Sequence, residues 1–146
     1  MTKRRDEGAA ETLGVALDTL AFIIVKSRAY DAQSGVSELE DGSNPSDDRE
    51  VSALESGRDN PTRRELYAAI AGLTPEEQTA LVALAWIGRG DFDAREWRQA
   101  LGLARERRLG ATARYLIGMP LLGDYLEEGA ATMGVNLTDS EASLMP

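Results

Sequence analysis

The sequence predicts an all-α fold, a compact bundle-like domain of about six or seven helices. Three observations indicate it. Apolar residues recur every three or four positions over most of the chain, as on one face of a helix. Three Asn-Pro or Thr-Pro pairs are typical of helix starts. No stretch alternates polar and apolar residues as a strand would.

The length predicts one domain. The chain has 146 residues, within the usual size of a single domain, and aromatic residues make up only 5%, so Leu and Ala must fill the core. We expect the domain to span residues 9–134. Residues 1–8 are predicted to be a flexible N-terminus and residues 135–146 a loose tail.

The first predicted helix runs from Ala9 to about Ala32, and Gly35 ends any continuation. Gly14 is its only weak point. The helical spacing of its apolar residues places four of them on one face: Leu13, Leu17, Leu20 and Ile24. Three more widen that face: Phe22, Ile23 and Val25. This helix is therefore buried on more than one side, or it covers a partner.

An acidic connection comes after the first helix. Residues 31–60 hold nine acidic and two basic residues, a local charge of -7, and the stretch is rich in Ser, Gly, Asn and Asp. We interpret residues 33–60 as a solvated, partly disordered linker with one short helix from Pro45 to about Glu55.

Two further helices begin at Pro residues that come directly after a capping side chain. Asn60 precedes a helix from Pro61 to about Ala71, which Gly72 closes. The next helix runs from Pro75 to Ile87 and is closed by Gly88; Thr74 and Glu77 form its capping box. This helix is apolar almost all round, so we predict that it forms the centre of the core.

Three helices complete the prediction. Asp93 and Glu96 form a capping box for a helix that continues to about Arg108 and stops at Gly110. A short helix spans Thr112–Ile117 and is closed by Gly118. Pro120 opens a last helix that ends near Met133.

The composition excludes several kinds of chemistry. The chain contains no Cys and no His, so it can form no disulfide, zinc finger, Cys/His protease or Ser-His-Asp triad. A carboxylate enzyme would need a pocket that gathers at least two of four residues: Asp91, Asp93, Asp124 and Glu127. Since capping or solvation explains these acids, we expect no enzyme, no cofactor and no metal.

The sequence also predicts the cellular compartment of the protein. The dense apolar run from Leu20 to Val25 has six residues, whereas a membrane span needs about 20. Acidic residues come soon after the basic start Met1–Arg5, whereas an export signal has an uncharged apolar stretch there. We expect a bacterial-type cytoplasmic protein without a membrane partner.

The segment with Asn44, Asp47 and Asp48 clusters side chains that could bind a cation or a partner. It lacks the ligand spacing of a calcium loop, and helix capping explains the same residues. We retain the three residues as part of a candidate interaction surface.

The tripeptide Arg89-Gly90-Asp91 lies directly after the most apolar helix. Adhesion receptors read this tripeptide, but here its glycine allows a turn and its Asp can cap the next helix. Arg89 and Asp91 are retained as a candidate surface on this turn.

An Arg-rich region spans residues 95–114, and residues 88–118 have a local charge of +3. Its arginines could contact nucleic acid or an acidic protein, or their stems could cover the edge of the core while their charges pair with acidic segments. The residues proposed for contact are Arg98, Arg105, Arg108 and Arg114. The total charge of -9 disfavours nucleic acid.

Four phrases resemble a family: GSNPSDD (42–48), LVALAWIGRGD (81–91), TARYLIGMPLL (112–122) and DYLEEG (124–129). They resemble the bacterial domains of unknown function numbered 3775, mainly from alphaproteobacteria, over roughly residues 9–134. The resemblance implies a small helical cytoplasmic protein with no established activity, cofactor or substrate. Relatives are expected to carry Thr at position 119, where Met119 would cost the last helix an N-cap worth ~1 kcal/mol.

Taken together, these features predict a non-enzymatic interaction or regulatory module that works through helix-face contacts. Its partner would be another protein or a second copy of the chain. The alternative is a nucleic-acid accessory protein that uses the Arg-rich region.

Overall fold

The computed structural model describes residues 2–35, 60–107 and 111–144, and for residues 2–7 only the backbone. The predicted helix from Pro45 to Glu55, most of the acidic linker and the stop at Gly110 lie outside these ranges. The described ranges contain eight α-helices, one 3₁₀ turn and no strand, which confirms the all-α fold. The α-helices are α1 (Thr2–Leu13), α2 (Leu17–Ser34), α3 (Pro61–Ala71), α4 (Pro75–Arg89), α5 (Trp97–Glu106), α6 (Thr112–Ile117), α7 (Leu122–Thr132) and α8 (Thr138–Ala142).

The first predicted helix is two helices, so the prediction of one continuous helix is wrong. Gly14 has a left-handed backbone with φ +80°, which ends α1 and lets α2 start in a new direction. A side chain there would press on Ala80 of α4, because a Cβ at Gly14 would lie 3.1 Å from the Ala80 Cβ. Helix α1 begins at Thr2, inside the stretch predicted to be flexible. Gly35 closes α2 as predicted, with φ +68°.

The predicted caps of α3 and α4 are confirmed. The Asn60 side chain accepts a hydrogen bond of 3.2 Å from the Arg63 backbone N–H. Thr74 and Glu77 form the complete capping box of α4, with bonds of 3.1 and 2.9 Å. Local side chains therefore satisfy backbone donors at the start of both helices.

Gly88 does not end α4, contrary to the prediction. The helix continues to Arg89, and Gly90, with φ +95°, closes it. Gly88 lies where α4 crosses α7, and a Cβ at this position would overlap the Tyr125 carbonyl group. Gly129 of α7 faces the Leu84 backbone of α4 in the same way. The two glycines let these helices pack backbone to backbone, in the most extensive contact between any two of the described helices.

The structure shifts two other helix bounds. The Asp93–Glu96 capping box is confirmed, but it starts a 3₁₀ turn, Ala94–Glu96, before α5. Helix α7 begins at Leu122 rather than Pro120, and the Leu121 N–H donates to Asp31 Oδ2 of α2 at 3.1 Å. Met119 is buried in the core, so position 119 is not the N-cap of α7.

The core is centred on α4, as predicted. Every residue from Thr79 to Ile87 is buried. Helix α2 packs against α3, α7 and α8, so it is buried on several sides, and Leu20, Ile23 and Ile24 have no exposed area. The prediction of a loose tail is wrong for residues 135–144. Helix α8 lies against α2, and Leu137 before it is 1% exposed.

The described helices include none that is both long and apolar enough to cross a lipid bilayer.

Candidate functional site

A surface groove lies at the C-terminal end of α4, where the chain turns toward α5. Its volume is about 630 Å³. The groove has an aromatic and aliphatic lining with charged side chains at its edge. The lining residues are Trp86, Arg89, Asp91, Phe92, Leu103, Glu106 and Arg107.

Aromatic side chains form a fixed floor. Trp86 is only 5% exposed, and its ring lies 6.0 Å from that of Phe92, at an interplanar angle of 32°. The Trp86 Nε1–H donates to the Tyr115 hydroxyl of α6 at 3.0 Å. Because the indole is held by packing and by a hydrogen bond, the floor is formed before any ligand arrives.

Helix α5 supplies one wall. Ala100 and Ala104 of α5 are buried against the rest of the protein. Leu103 lies beside this buried stripe and is 39% exposed, one of three large apolar side chains that the described residues leave exposed. Arg107 comes four residues after Leu103, so both side chains stand on the same helix face. The wall thus combines an apolar group with a cation.

The two arginines of the groove differ in their partners. Arg89 donates two hydrogen bonds to Asp91 Oδ2, at 2.9 Å from Nε and 2.6 Å from Nη2. Hydrogen bonding to Asp91 raises the pKa of Arg89, so the Arg89 guanidinium stays protonated. The Arg107 guanidinium lies 5.2 Å from the Tyr115 ring and 5.9 Å from the Trp86 ring. It makes no ion pair with any of the described residues.

The family match covers this groove. A family model with the description "Protein of unknown function (DUF3775)" matches residues 63–135. The chain belongs to the DUF3775 family. All seven lining residues and Tyr115 fall within the matched segment, which confirms the predicted resemblance for this half of the chain. Neither a curated protein nor a solved structure matches the chain.

Five of the nine residues predicted for the interaction surface lie in the described ranges, and they occupy different places. Arg89 and Asp91 line the groove. Arg105 lies outside it and pairs with Glu76 of α4 at 3.1 Å. Arg98 and Arg114 are exposed and line no described part of the groove. The remaining predicted residues lie outside the described ranges: Asn44, Asp47, Asp48 and Arg108.

Sequence reasoning missed a second site, a cluster in which three carboxylates surround Arg28 of α2. Arg28 donates to Asp124 at 3.0 Å and to Glu127 at 2.8 Å, both on α7, and to Glu141 on α8 at 2.6 Å. The partners are 96 to 113 residues away from Arg28 in sequence, so no local pattern could signal the cluster. A cavity of about 420 Å³ lies beside it, lined in part by Val25, Arg28 and Glu141.

The acidic residues named for a carboxylate enzyme are divided between these two places. Asp124 and Glu127 lie in the Arg28 cluster, while Asp91 lines the groove, paired with Arg89. Asp93 caps the 3₁₀ turn. Within the described ranges no group of three or more acidic residues is arranged to hold a metal ion.

Proposed function

We propose that the chain is a non-enzymatic interaction module that docks an acidic, apolar-anchored segment of a partner protein in the Trp86 groove. The single observation behind the proposal is the side-by-side placement, over a preformed aromatic floor, of exposed Leu103 and of Arg107, which has no ion-pair partner among the described residues. We place the interaction in the bacterial cytoplasm.

The groove offers two kinds of contact to one ligand. An apolar side chain would remove Leu103 and Phe92 from water, which favours binding by about 25 cal/mol per Å² of apolar area. A neighbouring carboxylate would pair with Arg107, whose planar guanidinium presents several N–H donors. A segment with Leu or Phe next to Asp or Glu satisfies both requirements.

Nucleic acid fits this groove less well. Asp91 and Glu106 line it together with Arg89 and Arg107, so the lining has no net positive charge. The chain as a whole carries -9, which repels a nucleic-acid backbone with one charge per phosphate more strongly than a short segment that binds through one apolar side chain and one carboxylate. Nucleic-acid binding through Arg98, Arg105 and Arg114 is therefore the weaker proposal. The gel shift described below tests it.

The test uses synthetic peptides and the full chain. A set of 12-residue peptides carries one Leu or Phe flanked by Asp and Glu, and a matched set replaces the acids by Lys. The fluorescence of Trp86 in a Trp97→Phe background and calorimetry measure binding. We expect the acidic set to bind, Leu103→Ser and Arg107→Ala to weaken binding about tenfold, and added salt to weaken it further.

Two control variants match the test variants. Leu144 is 41% exposed and lies outside the groove, so Leu144→Ser should bind as the wild type does. Arg98→Ala removes an exposed arginine of α5 that the groove does not use. Equal binding by Leu103→Ser, or equal binding of the Lys set, would contradict the proposal. A gel shift on duplex DNA and RNA that Arg98→Ala abolishes would favour the nucleic-acid alternative.

A second copy of the chain is the other protein ligand to consider. Light scattering on the wild type and on Leu103→Ser distinguishes it, because a dimer through the groove would dissociate in the variant.

A further inference from the structure

We propose that Glu127 and Glu141 share one proton, and that this proton holds helix α8 against α2 and α7 until rising pH removes it. We call this proton-dependent contact the latch. The latch is separate from the Trp86 groove and does not depend on the proposed function.

The first argument is the charge balance of the Arg28 cluster. Asp124 and Glu127 approach Arg28 from α7, and Glu141 approaches it from α8. One guanidinium therefore serves three carboxylates, and the cluster would carry -2 if all three were ionised. Glu128 of α7 and Asp139 of α8 are exposed neighbours of the same sign. A bound proton is the simplest way to reduce this excess of negative charge.

The second argument is the environment of Glu141. The residue is 9% exposed, and its Oε1 accepts from Arg28 at 2.6 Å. Its other oxygen, Oε2, is buried and accepts no hydrogen bond from any described donor. A buried carboxylate oxygen without a donor is costly, whereas a protonated oxygen becomes a donor itself. The Glu127 carboxylate, which binds the same Arg28 guanidinium as Glu141, would accept that hydrogen bond.

The titration of the pair agrees with this geometry. Burial, then hydrogen bonding to Glu127, raises the pKa of Glu141 to about 7. Hydrogen bonding to Glu141, then to Arg28, lowers the pKa of Glu127. Docked Glu141 thus binds a proton more tightly than a free Glu does, so docking is favoured at low pH and weakens as pH rises from about 4.5 toward 7. Glu127 has the opposite sign and weakens docking only below its ordinary pKa of 4.5.

Helix α8 is so short that the shared proton can decide whether it stays docked. It has five residues, and although the Asn136 side chain accepts a hydrogen bond from the Thr138 N–H, so short a helix is not stable by itself. Its docking therefore depends on the Arg28 cluster and on a few apolar contacts. Release of α8 would expose the cavity lined by Val25 and Ala29 of α2. Val25 belongs to the widened apolar face of that helix.

Hydrogen exchange of the full chain tests the latch. The protection factor of amides 138–144, corrected for the intrinsic exchange rate, is measured from pH 5.5 to 8. We expect it to fall about tenfold over this range in the wild type. In Glu141→Gln the amide is neutral at every pH and can donate to Glu127, so protection should stay within about twofold. Glu128→Gln is the matched control and should show the wild-type profile.

Carboxyl NMR supplies a measurement that does not depend on helix opening. The Glu141 carboxyl should titrate near pH 7 in the wild type and nearer 4.5 in Glu127→Gln, which removes the negative charge of the neighbouring carboxylate. Titration of Glu141 near 4.5 in the wild type would overturn the proposal. So would the same pH dependence of protection in the wild type and in Glu141→Gln.

Discussion

At the scale of single residues, glycines decide where two helices touch. Gly88 has an ordinary helical conformation, yet its missing side chain allows the Tyr125 carbonyl group of α7 to come close. In the sequence Gly88 stands at the end of an apolar run, which is also typical of a helix end. The two roles cannot be distinguished without the neighbouring helix.

Gly88→Ala should destabilise the protein strongly. The new methyl group would overlap backbone atoms of α7, so the α4–α7 contact must open, at a cost of about 3 kcal/mol or more in the free energy of unfolding. Urea denaturation measures the effect. Gly102→Ala is the control: this helical glycine has nothing within 4 Å of its Cβ position, so Ala should stabilise α5 by about 0.5–1 kcal/mol. Equal stability of the two variants would disprove the role of Gly88.

At the scale of elements, capping chemistry predicts helix starts well. The starts at Pro61 and Pro75 and the Asp93 capping box are read from adjacent residues, and the structure has all three. The predicted start of α7 is wrong by two residues: Leu121 before the helix has a left-handed backbone with φ +64°, and its N–H donates to Asp31, 90 residues away in sequence. Local signals suffice where the cap is local and fail where it is tertiary.

The capping box of α4 provides a prediction at this scale. Thr74→Ala removes the acceptor of the Glu77 N–H and should lower the free energy of unfolding by ~1 kcal/mol. Thr74→Ser keeps the hydroxyl acceptor and should lie within about 0.5 kcal/mol of the wild type. Thermal and urea denaturation measure both variants. If Ala and Ser behave alike, the hydroxyl does not cap the helix.

At the scale of the whole molecule, charge is balanced across distant segments. Residues 119–146 carry five acids and no base, and three of these acids surround Arg28 of α2. The sequence suggests instead that the Arg-rich region pairs with the acidic segments. Within the described residues, Arg105 of that region pairs with Glu76. One arginine of the first third of the chain thus holds the C-terminal helices in place.

Arg28→Met tests the balance between the charge of Arg28 and its three carboxylate partners. It leaves three carboxylates without their cation and should cost about 1–2 kcal/mol, since the cluster is partly exposed. The loss should be larger at pH 8 than at pH 5, because Glu141 is protonated below its pKa of about 7 and repels its neighbours less. Urea denaturation at both pH values measures it. Lys26→Met removes the Lys26–Glu65 pair and the cation above the Phe22 ring, neither of which involves the Arg28 cluster, so its smaller cost should not change with pH.

The sequence by itself determined the helical class, the local caps and the family, because periodicity, capping residues and characteristic phrases are all local features. It also placed Arg89 and Asp91 on the turn that borders the groove. Tertiary structure decided the rest. The Gly88 crossing, the groove that joins Trp86 to Leu103 and Arg107, and the Arg28 cluster with its docked C-terminal helix each depend on side chains that only packing brings together. The composition and the spacing of residues along the chain do not predict those long-range contacts.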